Sequence, residues 1–339
     1  MSSMKIAIVG AGAIGGFLGA RLALAGEGVT FIARGKNLEA IRAGGMKLIA
    51  EDGTEQTARD VVVHERMAEA GPHDAVLLTV KAHQVAPIAA DLVHLLGPDT
   101  AIVTMQNGIP WWYFHRHGGA HEGRVVAAAD PGGTIARAID AARVIGSIVY
   151  PATSLIAPGV VQVIEGNRFS LGELDGETTP RVEAIAASLT RAGFKAPVVR
   201  DIRSEIWLKL WGNVSFNPIS ALTHATLVDL CRFPLTRDLI VHMMTEAETI
   251  ARKLGVHMRI GIERRIAGAE KVGAHKTSML QDVEHGRALE LDALMGAVIE
   301  LGVLTETPTP HIAAVYACAS LLDHTLSQSH GRLAIATAG

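Results

Sequence analysis

Cysteine, aromatic residues and runs of like charge are all scarce in this chain of 339 residues. The two cysteines, Cys231 and Cys318, fall in apolar helical patterns, so we expect core thiols and neither a disulfide framework nor a zinc site. The 15 histidines are scattered, and their spacing predicts no metal ligand set. These absences favour a reducing, cytoplasmic location and a chemistry that needs no metal.

The charge pattern gives no reason to expect a nucleic acid or a membrane as partner. Charged residues make up 19% of the chain and nearly cancel, leaving a formal net charge of -3. No apolar stretch approaches the roughly 20 residues that span a bilayer. The residues before the first glycines do not resemble a signal peptide. We therefore expect a soluble chain that binds a small, neutral to anionic molecule.

The first 200 residues alternate short apolar runs with helical patterns. Nearly continuous apolar runs predict buried parallel strands at 5–9, 29–33, 75–80 and 101–105. Separated runs after residue 110 predict an antiparallel extension of the same domain, with strands at 125–129, 144–150, 160–163 and 169–171. The alternation is typical of a doubly wound α/β sheet.

From residue 202 onward the pattern is helical almost throughout. It predicts helices near 203–224, 234–254, 259–272, 279–302 and 309–326. The predicted fold class is therefore α/β, with an N-terminal Rossmann-like dinucleotide-binding domain at 1–200. An all-α domain at 201–339 would bind the substrate and form a homodimer.

A glycine-rich turn follows the first predicted strand directly and precedes a helical pattern. Its G-x-G-x-x-G sequence consists of Gly10, Ala11, Gly12, Ala13, Ile14 and Gly15. Gly10 would allow the tight turn, Gly12 would let a pyrophosphate approach the backbone, and Gly15 would let helix and strand pack closely. With the helix N-terminus facing the anion, this turn predicts dinucleotide binding.

Polar residues follow the predicted strands at their C-terminal ends, where open α/β sheets bind ligands. Arg34 ends the second strand where an NAD site usually has an acidic residue, so it favours the 2′-phosphate of NADP(H), although a solvated loop charge has the same pattern. Lys81 and Asn107 follow the next two strands. The structural alternative for Lys81 is that the chain reaches the solvent at this point, and the alternative for Asn107 is an ordinary Asn-Gly turn.

The helical part contains a polar stripe in an otherwise apolar segment. Lys209, Asn213 and Asn217 fall within an arc of about 80° on a helix. Glu205 extends the stripe, so an exposed face with a Glu205 to Lys209 pair is one interpretation. We prefer a face directed at an interdomain cleft, because asparagine is a poor helix former with no advantage at a surface.

A second feature lies at the start of the fourth predicted helix of this part. Ser278 and Gln281 fit a capping box, and a hydroxyl at a helix start can also bind a carboxylate beside free backbone amides. Glu290 would lie inside that helix, about three turns from its start.

Taken together, these residues resemble the ketopantoate reductase family over nearly the whole chain. The likeness rests on GAGAIGG at the N-terminus, VK at Lys81, QNG at Asn107, the K-x-x-x-N-x-x-x-N stripe, and SMLQD with GRALELD. Members are NADPH-dependent enzymes that reduce 2-dehydropantoate to pantoate on the route to pantothenate and coenzyme A. The ordered set is far more specific than any single motif.

The resemblance implies a role for each matching residue. Lys209 would be the proton donor, Asn213 and Asn217 would contact the substrate, and Ser278 would bind its carboxylate. Glu290 would lie at the cofactor ribose and the active site. Lys81, Asn107 and the backbone of Ala152 would meet the cofactor, with Asn107 also contacting the substrate.

The chain departs from the family pattern at two places. Leu227 stands where some members have a substrate-contacting asparagine, and the turn after Asn107 is Ile-Pro-Trp-Trp-Tyr instead of a small glycine-containing loop. The alternatives are a related reductase of another branched or aromatic 2-oxo acid, and a non-catalytic NADP(H) sensor.

Overall fold

The structure is a computed structural model, and it describes residues 3–335. The chain divides into two compact units. One comprises the residues up to Gln106, Trp112–Val125 and Gly132–Ile202, and the other comprises Asn107–Trp111, Val126–Pro131 and the residues from Arg203 onward. The second unit therefore takes two short segments from the first half of the sequence.

Within the described residues, the first unit contains two β-sheets. Its strands are β1 Lys5–Val9, β2 Gly28–Ile32, β3 Met46–Ile49, β4 Glu55–Ala58, β5 Val62–His64, β6 His73–Leu78, β7 Leu96–Thr104, β8 Val144–Val149, β9 Ala152–Ala157, β10 Val160–Glu165 and β11 Phe169–Glu173. Seven strands form one sheet in the order β11-β8-β7-β6-β1-β2-β5, and four form the other in the order β4-β3-β10-β9. In the larger sheet only β11 runs antiparallel to its neighbour.

Residue type explains why the larger sheet is parallel and buried. β1 is almost entirely apolar, and Ile8 pairs with Phe31 on one side and Leu77 on the other. All three side chains are at most 1% exposed, as expected for strands covered on both faces. The helices of this unit are α1 Ala13–Leu24, α2 Gly35–Gly44, α3 Thr134–Ala138 and α4 Pro180–Arg191.

The second unit is helical. Its elements are α5 Ile202–Thr223, α6 Leu227–Arg232, α7 Pro234–Lys253, α8 Ile262–Val272, α9 Ser278–Glu284, a π-helical turn Asp292–Gly296, α10 Ala297–Leu304 and α11 Pro310–Ser329. The predicted class, a Rossmann-like α/β sheet followed by a helical part, is confirmed.

Packing of α5 follows from its apolar spacing. Trp207, Leu210, Trp211 and Val214 recur at three- and four-residue intervals and are all buried. The indole Nε1 of Trp211 donates to the carbonyl of Met244 on α7 at 2.7 Å, so this large side chain is buried with its polar atom satisfied. Truncating either tryptophan to alanine would remove about 3–5 kcal/mol of stability.

The predicted strand at 125–129 is wrong, because the segment forms a turn. The N–H groups of Ala129 and Asp130 both donate to the carbonyl of Val126. Those of Ala127 and Ala128 donate to the two carboxylate oxygens of Glu300 on α10, at 2.9 and 2.8 Å. Backbone donors that a sheet would use are thus taken up by a distant side chain.

The predicted helix at 279–302 is also wrong, because it is interrupted. α9 ends at Glu284, Gly286 adopts a φ of +64°, and the chain stays non-helical through Glu290. The N–H of Arg287 returns to the carbonyl of Asp282 at 2.9 Å, which closes the end of α9. Glu290 therefore lies in a connecting segment and not three turns into a helix.

Two further features differ from the expectations or were not foreseen. Strands β3, β4 and β9 form most of a second sheet that no apolar run predicted. Cys231 is buried as expected, whereas Cys318 is exposed on α11, so the prediction of a second core thiol is wrong. Within residues 3–335, no helix has the length and apolarity that crossing a membrane requires.

Candidate active site

The glycine-rich turn has two glycines that the fold requires and one that faces open space. Gly10 has a φ of +106°, and a Cβ on Gly15 would lie 2.0 Å from the carbonyl oxygen of Gly10, so neither position accepts a larger residue without a shift. A Cβ on Gly12 would meet nothing within 4 Å. Room at Gly12 is what a pyrophosphate group needs to approach the backbone.

The start of α1 fits an anion. The helix begins at Ala13 with Gly12 as its N-cap, no side chain caps it, and no acidic residue lies in its first turn. The first amides of the helix therefore keep their capacity to donate to a bound anion. Ala11, Ala13 and Ile14 complete the turn, and all of its predicted residues lie together.

Asn37 supports this turn and was not predicted from the sequence. Its side-chain amide donates to the carbonyl of Ala11, and its Oδ1 accepts from the N–H of Gly159 at 2.7 Å. Thr79 adds a second tie, because its hydroxyl lies 2.7 Å from the carbonyl of Gly10. The only available signal was an asparagine, a weak helix former, inside α2.

Three further residues that were predicted to contact the cofactor lie in different parts of the first unit. Arg34 is exposed, follows β2 closely and is the N-cap of α2. Lys81 follows β6 and begins a short 3-10 turn, with its N–H donating to Oε1 of Gln84 at 3.1 Å. The strands β6, β1 and β2 are neighbours in the sheet. Arg34, Lys81 and the glycine-rich turn therefore all come after the carboxyl ends of neighbouring strands, at the same edge of the sheet. Ala152 opens β9, in the four-stranded sheet.

In the second unit, three polar residues from distant parts of the sequence meet. The ammonium Nζ of Lys209 on α5 donates to Oδ1 of Asn107 at 2.6 Å. The amide Nδ2 of Asn107 donates in turn to Oε2 of Glu290 at 3.4 Å, a long hydrogen bond. The amide of Asn107 thus connects a cation to a carboxylate, because its oxygen accepts from the ammonium and its N–H donates to the carboxylate.

Burial changes the acidity of the lysine in this cluster. Desolvation lowers the pKa of Lys209 from its ordinary value of 10.5 to about 8, and the negative charge of Glu290 partly opposes the shift. An ammonium with this pKa remains protonated at neutral pH and releases its proton more readily than a solvated lysine does. The cluster can therefore donate a proton to an oxygen that gains negative charge.

The rest of the polar stripe continues along α5. Asn217 is 7% exposed, and its Nδ2 donates to the hydroxyl of Ser278 at 3.4 Å. Asn213 lies between Lys209 and Asn217 on this face and is partly buried. The interpretation of the stripe as an exposed face is wrong at Glu205, because Glu205 is buried and its carboxylate pairs with Arg259 at 3.1 Å.

The predicted capping box at Ser278 is wrong by one residue. Thr277 is the N-cap of α9, since its hydroxyl accepts from the N–H of Leu280 at 3.2 Å. Ser278 is the first helical residue and is exposed. Its hydroxyl is consequently not used for capping, which leaves it for other contacts besides Asn217.

The two departures from the family pattern have different surroundings. Leu227 begins α6 and is partly buried, with its N–H donating to the carbonyl of His275 at 3.0 Å. After Asn107, the large side chains are buried instead of exposed on a loop: Ile109, Trp111, Trp112 and Tyr113 are each at most 7% exposed. These aromatic residues therefore belong to the packing of the molecule.

A glycine-rich turn on a parallel sheet and a buried lysine with a lowered pKa are features that suit the two halves of one reaction class, hydride transfer from a dinucleotide and protonation of the resulting oxygen. The protein is thus an oxidoreductase that depends on a nicotinamide dinucleotide. Its family follows from two family models, described as "Ketopantoate reductase PanE/ApbA" over residues 6–176 and "Ketopantoate reductase PanE/ApbA C terminal" over 201–323. The chain belongs to the ketopantoate reductase family.

Known relatives resemble the chain over nearly its full length. A 2-dehydropantoate 2-reductase of Mesorhizobium japonicum is 54% identical over 315 residues, which are 93% of this chain and 96% of the relative. A crystal structure of a candidate ketopantoate reductase from Ralstonia solanacearum MolK2 is 40% identical, with a TM-score of 0.91 over 96% of this chain and 99% of that one. The 2-dehydropantoate 2-reductase of Methylococcus capsulatus is 28% identical, with a TM-score of 0.81 over 96% and 98%.

Proposed function

We propose that this protein reduces 2-dehydropantoate to pantoate with NADPH, a step on the route to pantothenate and coenzyme A. The observation that carries the proposal is the Lys209, Asn107 and Glu290 cluster, in which a desolvated ammonium is hydrogen-bonded to an amide that also reaches a carboxylate. The 54% identical 2-dehydropantoate 2-reductase supports the choice of substrate.

In this reaction the ketone carbon gains a hydride and the ketone oxygen gains a proton. The nicotinamide cofactor, when bound, supplies the hydride. Lys209 stabilises the negative charge that develops on the oxygen and then donates its Nζ proton there, leaving a neutral amine that takes a proton back from solvent. Asn107 accepts one N–H of the ammonium and so restricts where the others point, while Glu290 holds the amide and favours the protonated lysine.

The remaining polar residues of the second unit would hold the substrate. Asn213 and Asn217 carry amides, which bind hydroxyl or carboxylate oxygens without adding a charge that competes with Lys209. Ser278 would bind the substrate carboxylate at the start of α9, where its hydroxyl is exposed and reaches the amide of Asn217.

The first unit, which makes up most of the predicted domain at 1–200, would bind the dinucleotide. The open space at Gly12 and the uncapped start of α1 suit its pyrophosphate. Arg34 would bind the 2′-phosphate of NADPH, because it is an exposed guanidinium close to the carboxyl end of β2. Lys81 and the backbone of Ala152 would contact the cofactor as well.

One observation favours a second substrate class. Leu227 is apolar where some members of the family have a substrate-contacting asparagine, and it is only partly buried. At an apolar contact, a substrate hydroxyl would have no hydrogen-bond partner, which costs about 1–3 kcal/mol of binding free energy. A branched or aromatic 2-oxo acid without that hydroxyl would not bear this cost.

The test is NADPH oxidation with 2-dehydropantoate beside a panel of branched and aromatic 2-oxo acids, ranked by kcat/KM. We expect 2-dehydropantoate to rank first. A higher rank for an apolar 2-oxo acid would support the second substrate class. NADPH binding without turnover of any acid in the panel would contradict the assignment of Lys209 as a proton donor and support a sensor.

A further inference from the structure

Two groups on α11 hold the segment that carries Glu290. The N–H of Leu289, just before Glu290, donates to Oδ1 of Asp323 at 2.9 Å. The hydroxyl of Tyr316 donates to Oδ1 of Asp292, two residues after Glu290, at 2.7 Å. Tyr316 and Asp323 are about two helical turns apart and so face the same side of α11. Glu290 does not lie in a helix, but hydrogen bonds to α11 fix the residue before it and a residue shortly after it.

The π-helical turn after Glu290 holds the segment that carries Asn107. Such turns are rare and occur frequently at functional sites. Here the carbonyl of Ala293, inside the turn, accepts from the N–H of Ile109 at 2.9 Å. Gly108 has a φ of +91°, and a Cβ on it would lie 2.2 Å from this same oxygen. Only glycine lets the chain pass this carbonyl, one residue after Asn107.

We propose that Gly108 and Tyr316 are positioning residues for the reduction: through the π-helical turn and α11, they set Asn107 and Glu290 around the ammonium of Lys209. The inference rests on the proposed function, since it concerns the geometry of the same proton donor. Both residues act through Asn107 or Glu290. Small displacements suffice for an effect, because about 1 Å of misplacement can lower turnover by up to roughly 100-fold.

Tyr316→Phe is the more conservative of the two test variants, because it removes one hydroxyl and keeps the ring. We expect kcat to fall about 5-fold with KM for NADPH unchanged, and to fall less than about 2-fold when the same change is made in a Glu290→Gln protein. Thr325→Ala is the matched control, since the hydroxyl of Thr325 on the same helix donates only to its own helix, at the carbonyl of Leu321.

Gly108→Ala is the variant with the larger expected effect. We expect a roughly 30-fold fall in kcat that shrinks to less than about 2-fold in an Asn107→Ala protein. Gly255→Ala is the control for backbone strain: Gly255 has a φ of +80°, yet a Cβ there would meet nothing within 4 Å. The control variant should lose stability and keep kcat.

These variants separate a positioning role from a purely structural one. A fall in kcat of the same size in the Glu290→Gln and Asn107→Ala backgrounds would overturn the proposal, as would full activity of Tyr316→Phe. If Gly108→Ala does not fold, the Tyr316→Phe cycle decides. Failure of the proposed function has a different signature, because either the unaltered protein turns over no acid of the panel or Lys209→Ala keeps its turnover. An inactive Lys209→Ala beside fully active unaltered protein and Tyr316→Phe removes only this inference.

Discussion

The two units of this protein build their sites in opposite ways. In the first, the proposed cofactor site is a continuous stretch of backbone, Gly10 to Gly15, whose geometry follows from glycine and the start of a helix. In the second, the proposed acid-base cluster joins side chains separated by 102 residues, from Asn107 to Lys209, and by 183 residues, from Asn107 to Glu290. A backbone site is specified locally, whereas a side-chain cluster exists only after the chain has folded.

Substitution of the lysine should give the largest effect and should leave the first unit's function intact. In Lys209→Ala, the proposed proton donor to the ketone oxygen is gone, so we expect kcat to fall by about 10²–10⁴-fold. Stopped-flow or steady-state NADPH oxidation gives the rate, and fluorescence titration gives the dissociation constant for NADPH, which should stay within about 2-fold because we propose that the first unit binds the pyrophosphate. Lys271→Ala, at an exposed lysine of α8, is the control.

Substitution in the glycine-rich turn should give the opposite result. Gly12→Val places its side chain in open space, so the fold should keep its melting temperature while the dissociation constant for NADPH rises about 100-fold or more. Calorimetry and fluorescence titration measure the two quantities. Gly44→Val is the control, because a Cβ on Gly44 also meets nothing within 4 Å and lies away from the turn. Unchanged NADPH affinity would show that the turn is not the pyrophosphate site.

A smaller change is expected at the arginine that follows β2. Arg34→Ala should lower kcat/KM for NADPH about 10-fold and leave that for NADH nearly unchanged, because the guanidinium would contact only the 2′-phosphate. The ratio of the two kcat/KM values is the measurement, and Arg42→Ala, an exposed arginine at the end of the same helix, is the control. An equal loss with both cofactors would assign Arg34 a role other than selecting NADPH.

The contrast between the units also explains which features could be predicted from the sequence. β1 was predicted to the residue, and the glycine-rich turn lies where the pattern placed it, since a continuous apolar run and a glycine motif are local signals. The break in the predicted helix before Glu290 was missed. It depends on Gly286 and on the hydrogen bond from the N–H of Leu289 to Asp323 on α11, 34 residues later. The turn at 125–129 depends on Glu300, more than 170 residues later.

Tertiary contacts explain the remaining differences in the same way. The spacing of the stripe predicted which polar residues share one face of α5, but it could not show that Glu205 pairs with Arg259 or that Lys209 contacts Asn107. Asn37 gave no motif, and its role became visible only when α2 lay beside the glycine-rich turn. The family resemblance implied a role for Glu290, whose own pattern predicted none, and favoured one of the two roles that the pattern allowed for Ser278.

The most direct test of the central claim is the pH dependence of kcat/KM for reduction of 2-dehydropantoate by NADPH, measured between pH 6 and 10, because this ratio reports the acid of the substrate-free protein. Because burial lowers the pKa of Lys209 to about 8 and the acid acts in its protonated form, kcat/KM should be at its full value below this pH and lost as pH rises through it. We expect about a tenfold fall per pH unit on the alkaline limb. A kcat/KM that stays constant to pH 10 would contradict Lys209 as the proton donor.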